Sequence, residues 1–315
     1  MIAPSTSRRS WQLAKPVRVA LRLAVPVAVV AVLVQVLDMG RISELLRLAD
    51  VGLLAAGLGA LLAQNALSAV RWRLTAGRLG VEMGLRAALG AFFRSQLVNM
   101  TLPGGVLGDA ERAVRSQGDA GLWPAGQAVV IDRAVGQAAL FAVLIAGLVL
   151  WAMTGDGVLA VPASLRAPVS VWVPVVAFGA LAAFWAAARI NHVRDRLRRI
   201  AAPLRASVLA PGAWPAQLVL SVLIVACNIA GVAFCAAATG AALPALALVT
   251  LVPLVLVAMV VPVSVAGWGV REGAAAALWP LAGLSAEAGV AASAAFGFMA
   301  LAASLPGAAT FLARR

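Results

Sequence analysis

Two short segments place charged side chains beside glycine and proline in a chain that is otherwise rich in hydrocarbon. The first runs from Asn99 to Arg112, and the second runs from Pro262 to Glu272. Proline and glycine interrupt helices, and interrupted backbone at membrane depth persists only where protein buries it or where it lines a cavity. Ionisable residues at that depth are costly and mark binding or transport sites. The chemistry predicted for both segments is therefore the binding of a polar or charged group inside a membrane protein.

The first segment predicts a helix end that attracts anions. Gly108 is expected to begin a helix whose free N–H groups favour negative charge. Asp109 and Arg112 are three residues apart and share a face of that helix, while Glu111 and Arg115 have the spacing of a local ion pair. We expect Arg112 to hold an anionic headgroup and Asp109 to orient it. The alternative is that Asp109 caps the helix and the charges neutralise one another locally.

The second segment predicts a comparable break at residues 264–269, after which Arg271 and Glu272 open a returning helix. Adjacent helical residues do not face each other, so these two side chains are expected to have different partners. Arg271 is the better ligand for a phosphate oxygen. The partner expected for Glu272 is a cation of another element: Arg94, Arg112 or Arg133.

Two adjacent charges, Asp132 and Arg133, lie about six residues inside a predicted span. We expect Asp132 to reach an arginine and Arg133 to reach Asp109 or a substrate, with stabilisation of the fold as the alternative role. The candidate substrate-binding residues are Arg94, Asn99, Asp109, Arg112, Asp132, Arg133, Ser264, Arg271 and Glu272. The residues expected to break the backbone are Pro103, Gly104, Gly105, Gly108, Pro262, Gly267 and Gly269.

Composition indicates the class of protein. Of 315 residues, 63% are hydrophobic and 12% are charged, whereas soluble domains are about half apolar and a quarter charged. The net charge of +13 comes from arginines beside hydrophobic stretches, which is typical of membrane proteins, so nucleic-acid binding is not expected. The sequence has no metal motif, P-loop, redox CxxC or nucleophile with a base, so no catalytic residue, metal or cofactor is predicted.

The expected fold is an all-α helical bundle that forms one membrane domain over residues 1–315. About 20 apolar residues cross a bilayer core, and six stretches are long enough: 19–37, 51–70, 126–151, 169–188, 216–238 and 286–312. Cations in the arm at residues 1–18 and after the second and fourth stretches predict a cytoplasmic N-terminus. Residues 189–206 are expected to form a basic amphipathic element on the cytoplasmic leaflet, with a solvated linker as the alternative.

The two segments with proline and glycine are expected to form re-entrant helical hairpins, at residues 84–118 and 245–284, that enter from opposite sides. Two paths are open for the second: residues 243–261 cross the membrane fully, or the whole segment dips in from outside. The second path returns Arg314 and Arg315 to the cytoplasm and is favoured by the charge rule. Opposed hairpins resemble the inverted repeats of transporters, whose broken helices meet near the midplane.

Four landmarks in this order resemble the membrane region of the lysylphosphatidylglycerol synthase family, which includes the N-terminal half of multiple peptide resistance factor. The landmarks are Arg71-Trp72-Arg73, Asn99-x-x-Leu-Pro-Gly-x-x-x-Gly108-Asp109-x-x-Arg112, Asp132-Arg133 and Pro262-x-Ser264-x-x-Gly267-x-Gly269-x-Arg271-Glu272. A closing Ser304-Leu-Pro-Gly307 also fits. The resemblance covers nearly all of the chain.

The resemblance implies a plasma-membrane protein that moves a lipid between leaflets. Members of the family handle aminoacylated phosphatidylglycerol, and relatives are associated with polyprenyl-linked sugars or hopanoids. Because the soluble aminoacyl-transferase domain is absent, lipid aminoacylation by this chain alone is not expected. We expect a flippase for an anionic phospholipid or lipid-linked headgroup with an arginine-lined cavity. The alternatives are a lipid- or glycan-modifying enzyme, or a non-transporting subunit that positions a separate synthase or glycosyltransferase.

Overall fold

The computed structural model describes residues 30–102, 105–154, 201–259 and 266–312. Over these residues the chain forms helices joined by turns, without strands, which confirms the predicted all-α class. The α-helices used below are α1 (Met39–Arg47), α2 (Val51–Arg78), α3 (Leu85–Thr101), α4 (Leu107–Ser116), α5 (Leu122–Thr154), α6 (Trp214–Ala238), α7 (Ala245–Ala258), α8 (Val270–Leu278), α9 (Ala286–Ser304) and α10 (Pro306–Leu312). Residues 30–36 and 201–204 are helical as well.

Four helical segments of the described residues are long and apolar enough to cross a membrane. They are Val51–Arg78, Leu122–Thr154, Trp214–Ala238 and Ala286–Thr310. They coincide with the second, third, fifth and sixth predicted stretches. The predicted arm at 1–18, the stretches at 19–37 and 169–188, and the element at 189–206 lie wholly or largely outside the described residues.

Two of these helices extend beyond their predicted limits, which moves charged residues into their interiors. Arg71 and Arg73 were expected to follow the second stretch, but α2 continues to Arg78 because residues 66–78 contain no proline and one glycine. Helix α5 begins at Leu122, so Asp132 lies ten residues into the helix instead of about six, or about 15 Å along its axis.

Helices α2 and α6 pack antiparallel along their lengths. The N–H of Asp50 donates to the carbonyl of Ala238 at 2.9 Å near one end of the pair. A Cβ on Gly57 would lie 3.2 Å from the Cys235 sulfur, and a Cβ on Gly231 would lie 2.9 Å from Leu61. Small residues therefore allow the close approach that stabilises helix pairs in membranes.

Helices α3 and α4 form the first helical hairpin. The N–H of Gly108 donates to Asn99 Oδ1 at 2.8 Å, and Arg94 lies 3.6 Å from Glu111, so the two helices run antiparallel. A Cβ on Gly108 would overlap the carbonyl oxygen of Ser95, which explains the glycine. Gly105 in the connection has a φ of +62°, whereas Pro103 and Gly104 lie outside the described residues.

Helices α7 and α8 flank the second break. The turn between them has left-handed backbone at Ala266, Gly267 and Gly269, with φ values of +51°, +81° and +81°. Pro262 and Ser264 lie outside the described residues. Within α7, Pro253 has no N–H to offer the carbonyl of Val249. Helix α5 approaches that carbonyl at Gly147, where a Cβ would overlap it, so α5 and α7 pack with their backbones close together.

Candidate functional site

Five charged side chains from α2, α4 and α5 form one cluster, which we call the arginine–aspartate cluster: Arg71, Asp109, Arg112, Asp132 and Arg133. Arg133 donates to Asp109 at 2.8 Å, and Arg112 lies 3.2 Å from Asp109 and 3.8 Å from Asp132. Arg71 donates from Nε to Asp132 at 3.0 Å. The predicted contacts of Asp132 with an arginine and of Arg133 with Asp109 are therefore present. Three guanidinium groups against two carboxylates leave the cluster with one excess positive charge.

Arg112 lies at the enclosed end of the cluster. It is 1% exposed. Its guanidinium carbon lies 4.6 Å from the ring centre of Trp72 and 4.8 Å from that of Phe92. Aromatic faces attract cations, and the attraction grows when water is excluded. These contacts hold Arg112 between the two rings and beside Asp109 in this structure.

Arg71 anchors the other side of the cluster and was not among the predicted site residues. Its Nη1 donates to Ser221 on α6 at 3.2 Å, and its Nη2 donates to the carbonyl of Asp132 at 3.0 Å. A Cβ on Gly136 would lie 3.1 Å from Nη2, so this glycine leaves room for the guanidinium. Arg71 thereby ties α2, α5 and α6 together around Asp132.

Arg271 and Glu272 bond to each other, so the prediction of separate partners is wrong. Arg271 donates from Nε and Nη2 to Glu272 Oε1 at 3.1 and 2.6 Å, and Ser293 contacts both side chains. The reason lies at the start of α8, where Glu272 Oε2 accepts the N–H of Gly269 at 2.6 Å. Glu272 turns back to cap this otherwise unpaired N–H, which brings its other oxygen to the guanidinium.

The Arg271 side chain packs against an aromatic ring and beside a glycine. The guanidinium carbon lies 4.8 Å from the ring centre of Trp268. A Cβ on Gly297 of α9 would overlap Arg271 Nη2, so glycine at this position admits the side chain. Arg271 is 1% exposed, and its Nη1 has no hydrogen-bond partner among the described residues.

A cavity of about 480 Å³ lies between these two groups of charges. We call it the main cavity; its volume falls within the range of about 300–1,000 Å³ typical of ligand sites. Among the described residues, the charged ones that line it are Asp109, Arg133 and Arg271. A smaller cavity of about 140 Å³ shares Arg133 with it and reaches Arg71 and Asp132.

The predicted substrate-binding residues that the structure describes, all except Ser264, divide into three groups by location. Those lining the main cavity are Asn99, Asp109, Arg133 and Arg271, with Gly105 and Gly267 from the breaks. Those behind its wall are Arg112, Asp132 and Glu272, held by the contacts described above. Arg94 contacts α10 instead, donating to the hydroxyl and the carbonyl of Thr310 at 2.8 and 2.9 Å.

Carboxamide side chains that sequence reasoning missed also line the main cavity: Gln64, Asn65, Gln96, Gln137 and Asn228. A signal for them was present. On α2, polar residues recur at positions 64, 68, 71 and 75, and on α6 they recur at 217, 221 and 228. Spacings of three, four and seven residues place side chains on one helix face. A polar stripe along an apolar helix therefore identifies the face that meets the cavity.

Apolar helices long enough to span a bilayer, together with buried arginines around a cavity, define a polytopic membrane protein. Residues 19–307 match the family model described as the lysylphosphatidylglycerol synthase TM region. The chain belongs to this family, as the four sequence landmarks predicted, and its role is thus related to membrane lipids. No curated protein and no solved structure matches the chain.

Proposed function

We propose that this chain moves a lipid with an anionic phosphate headgroup between the leaflets of the plasma membrane, through the main cavity. The observation that carries the proposal is Arg133, whose side chain is 47% exposed on the cavity wall while most of the cluster is buried. A phosphate headgroup cannot enter hydrocarbon without compensation for its lost hydration. An accessible guanidinium in a polar cavity supplies that compensation.

The electrostatics of the cavity favour an anion. The arginine–aspartate cluster has one excess positive charge, and Arg133 is its accessible cation. Arg271 also lines this cavity, where it is 1% exposed and pairs with Glu272. Guanidinium groups bind phosphate oxygens with paired, charge-assisted hydrogen bonds. Asp109 competes with the phosphate for Arg133, so that binding remains weak enough for release.

The topology that accompanies this proposal has a cytoplasmic N-terminus and two re-entrant hairpins. Helices α3, α4, α7 and α8 have 17, 10, 14 and 9 residues, and a full crossing takes about 20. For the second hairpin, the 14 residues of α7 favour entry from outside over a complete crossing. Gly105 and Gly267 at the two breaks line the main cavity, where irregular backbone is tolerated.

The proposal predicts that purified protein in liposomes accelerates the exchange of fluorescent phosphatidylglycerol between leaflets. Arg133→Gln removes the accessible charge and is expected to slow this exchange about tenfold or more, since charge-assisted hydrogen bonds contribute about 1.5–3 kcal/mol. Exchange is measured by dithionite quenching of the outer leaflet.

Arg86→Gln is the matched control. Arg86 is exposed on α3 and is not among the described residues that line either cavity, so its replacement should leave the rate unchanged. The proposal is rejected when wild-type protein exchanges lipid no faster than empty liposomes. It is also rejected when folded Arg133→Gln matches the wild type.

A further inference from the structure

Uncharged amides outnumber charges on the wall of the main cavity. Six of its described lining residues carry a carboxamide: Gln64, Asn65, Gln96, Asn99, Gln137 and Asn228. They come from α2, α3, α5 and α6. Four of them, Gln64, Gln96, Gln137 and Asn228, also line the smaller cavity. Burying amides in an apolar bundle costs free energy unless they find hydrogen bonds, so their convergence on one space indicates a ligand that supplies these bonds.

The protein itself uses only part of this hydrogen-bonding capacity. Asn65 donates to the carbonyl of Ala303 at 3.1 Å and accepts from Gln96 at 3.3 Å. Asn99 accepts the N–H of Gly108, but its own Nδ2 is buried without a partner among the described residues. Gln137 Oε1 is likewise buried without a partner there. Two of the amides that line the cavity therefore have a buried polar atom whose hydrogen bond the described residues do not supply, and both groups are uncharged.

The carboxylates near the cavity are already engaged. Asp109 accepts hydrogen bonds from Ser95, Arg112 and Arg133. Glu272 accepts from Arg271, from Ser293 and from the N–H of Gly269. An ammonium group has donors alone and needs acceptors, preferably charged ones. A headgroup with an ammonium would have to displace an arginine to obtain a carboxylate here.

We infer that the headgroup of the lipid is a polyhydroxylated phosphate ester, such as a glycerol or a sugar phosphate, without an ammonium group. The inference rests on the proposed function and specifies its substrate class. Each hydroxyl both donates and accepts, as each carboxamide does, so a polyol suits a cavity wall lined by six amides. The phosphate then contacts Arg133, and the hydroxyls contact the amides.

The test compares lipids that share acyl chains and phosphate charge but differ in hydroxyl groups. Fluorescent phosphatidylglycerol carries two hydroxyls on its headgroup, and phosphatidylmethanol carries none. Wild-type protein in liposomes is expected to exchange phosphatidylglycerol about tenfold faster, as two hydrogen bonds would predict. Lysylated phosphatidylglycerol should move more slowly than phosphatidylglycerol. A further measurement with fluorescent phosphatidylinositol shows whether the protein prefers the hydroxyls of a sugar-like ring or those of glycerol.

Gln137→Leu removes the amide at similar size and is expected to reduce the preference for phosphatidylglycerol over phosphatidylmethanol to about twofold or less. Gln127→Leu is the matched control on the same helix; Gln127 is not among the described residues lining either cavity, and the preference should persist. If Gln137→Leu does not fold, Asn228→Leu is measured in its place, with the same expected result.

The possible failures are distinguishable. Equal wild-type rates for phosphatidylglycerol and phosphatidylmethanol would overturn the inference and leave the proposed function intact. Faster movement of the lysylated lipid, or a full preference in folded Gln137→Leu, would also overturn it. The absence of exchange for every lipid would overturn the proposed function and the inference with it.

Discussion

Asp132→Ala is expected to destabilise the protein by about 3–5 kcal/mol, the cost of breaking a buried ion pair from one side. Asp132 is 3% exposed and bonds Arg71, which is 4% exposed, while Arg112 lies 3.8 Å away. Without the carboxylate, two buried guanidinium groups lose a counter-charge where water cannot replace it. The free energy of unfolding in detergent, measured by denaturant titration, checks this expectation.

Asp119→Ala provides the matched control, because Asp119 is exposed in the short turn after α4. Its replacement should change the free energy of unfolding by less than about 0.5 kcal/mol. The double variant Arg71→Leu/Asp132→Leu should lose less free energy of unfolding than the sum of the losses of the single variants Arg71→Leu and Asp132→Leu. The reason is that both charges disappear together. Equal stabilities of Asp132→Ala and Asp119→Ala would contradict the role assigned to the cluster.

Gly108→Ala is expected to destabilise the protein by about 3 kcal/mol or more, although it adds a single methyl group. The new Cβ would overlap the carbonyl oxygen of Ser95 and lie 2.9 Å from Asn99 Oδ1. Because the obstacle is backbone inside α3, no side-chain rotation relieves the overlap. Helix α4 must move away, which breaks the hydrogen bond between Gly108 and Asn99 and shifts Asp109 from Arg133. Thermal unfolding and the lipid exchange rate report both consequences.

The same substitution at Gly126, glycine to alanine, should stabilise the protein instead of destabilising it. Gly126 lies inside α5, and a Cβ there would meet nothing within 4 Å. Alanine is a better helix former than glycine, so Gly126→Ala should stabilise the protein by about 0.5–1 kcal/mol. A Gly108→Ala variant that unfolds at the wild-type temperature would show that α3 and α4 do not depend on this close approach.

Local features of the fold and of the candidate site were accessible from the sequence. Apolar stretches at 51–70 and 216–238 predicted α2 and α6 because a backbone in lipid must satisfy its own hydrogen bonds. The pairs Asp109–Arg112 and Glu111–Arg115 followed from helical spacing and are present in the structure. Such contacts depend on residues one turn apart.

The sequence predicted contacts less well where a side chain has several possible hydrogen-bond partners. For Arg271 and Glu272, spacing alone predicted separate contacts. The structure joins them because Glu272 also caps the N–H of Gly269. That choice depends on the backbone path through the turn before α8, which the residue types do not specify.

The sequence by itself determined the membrane class, the family, most of the helices and the two interruptions, because hydrophobic length and local spacing act within one element. Only the tertiary structure decided that Arg71 meets Asp132, that Arg112 is enclosed while Arg133 is accessible, and that amides from four helices surround one cavity. The physical reason is that periodicity defines the polar face of each helix. Which faces meet is set by packing between helices that lie far apart in the chain.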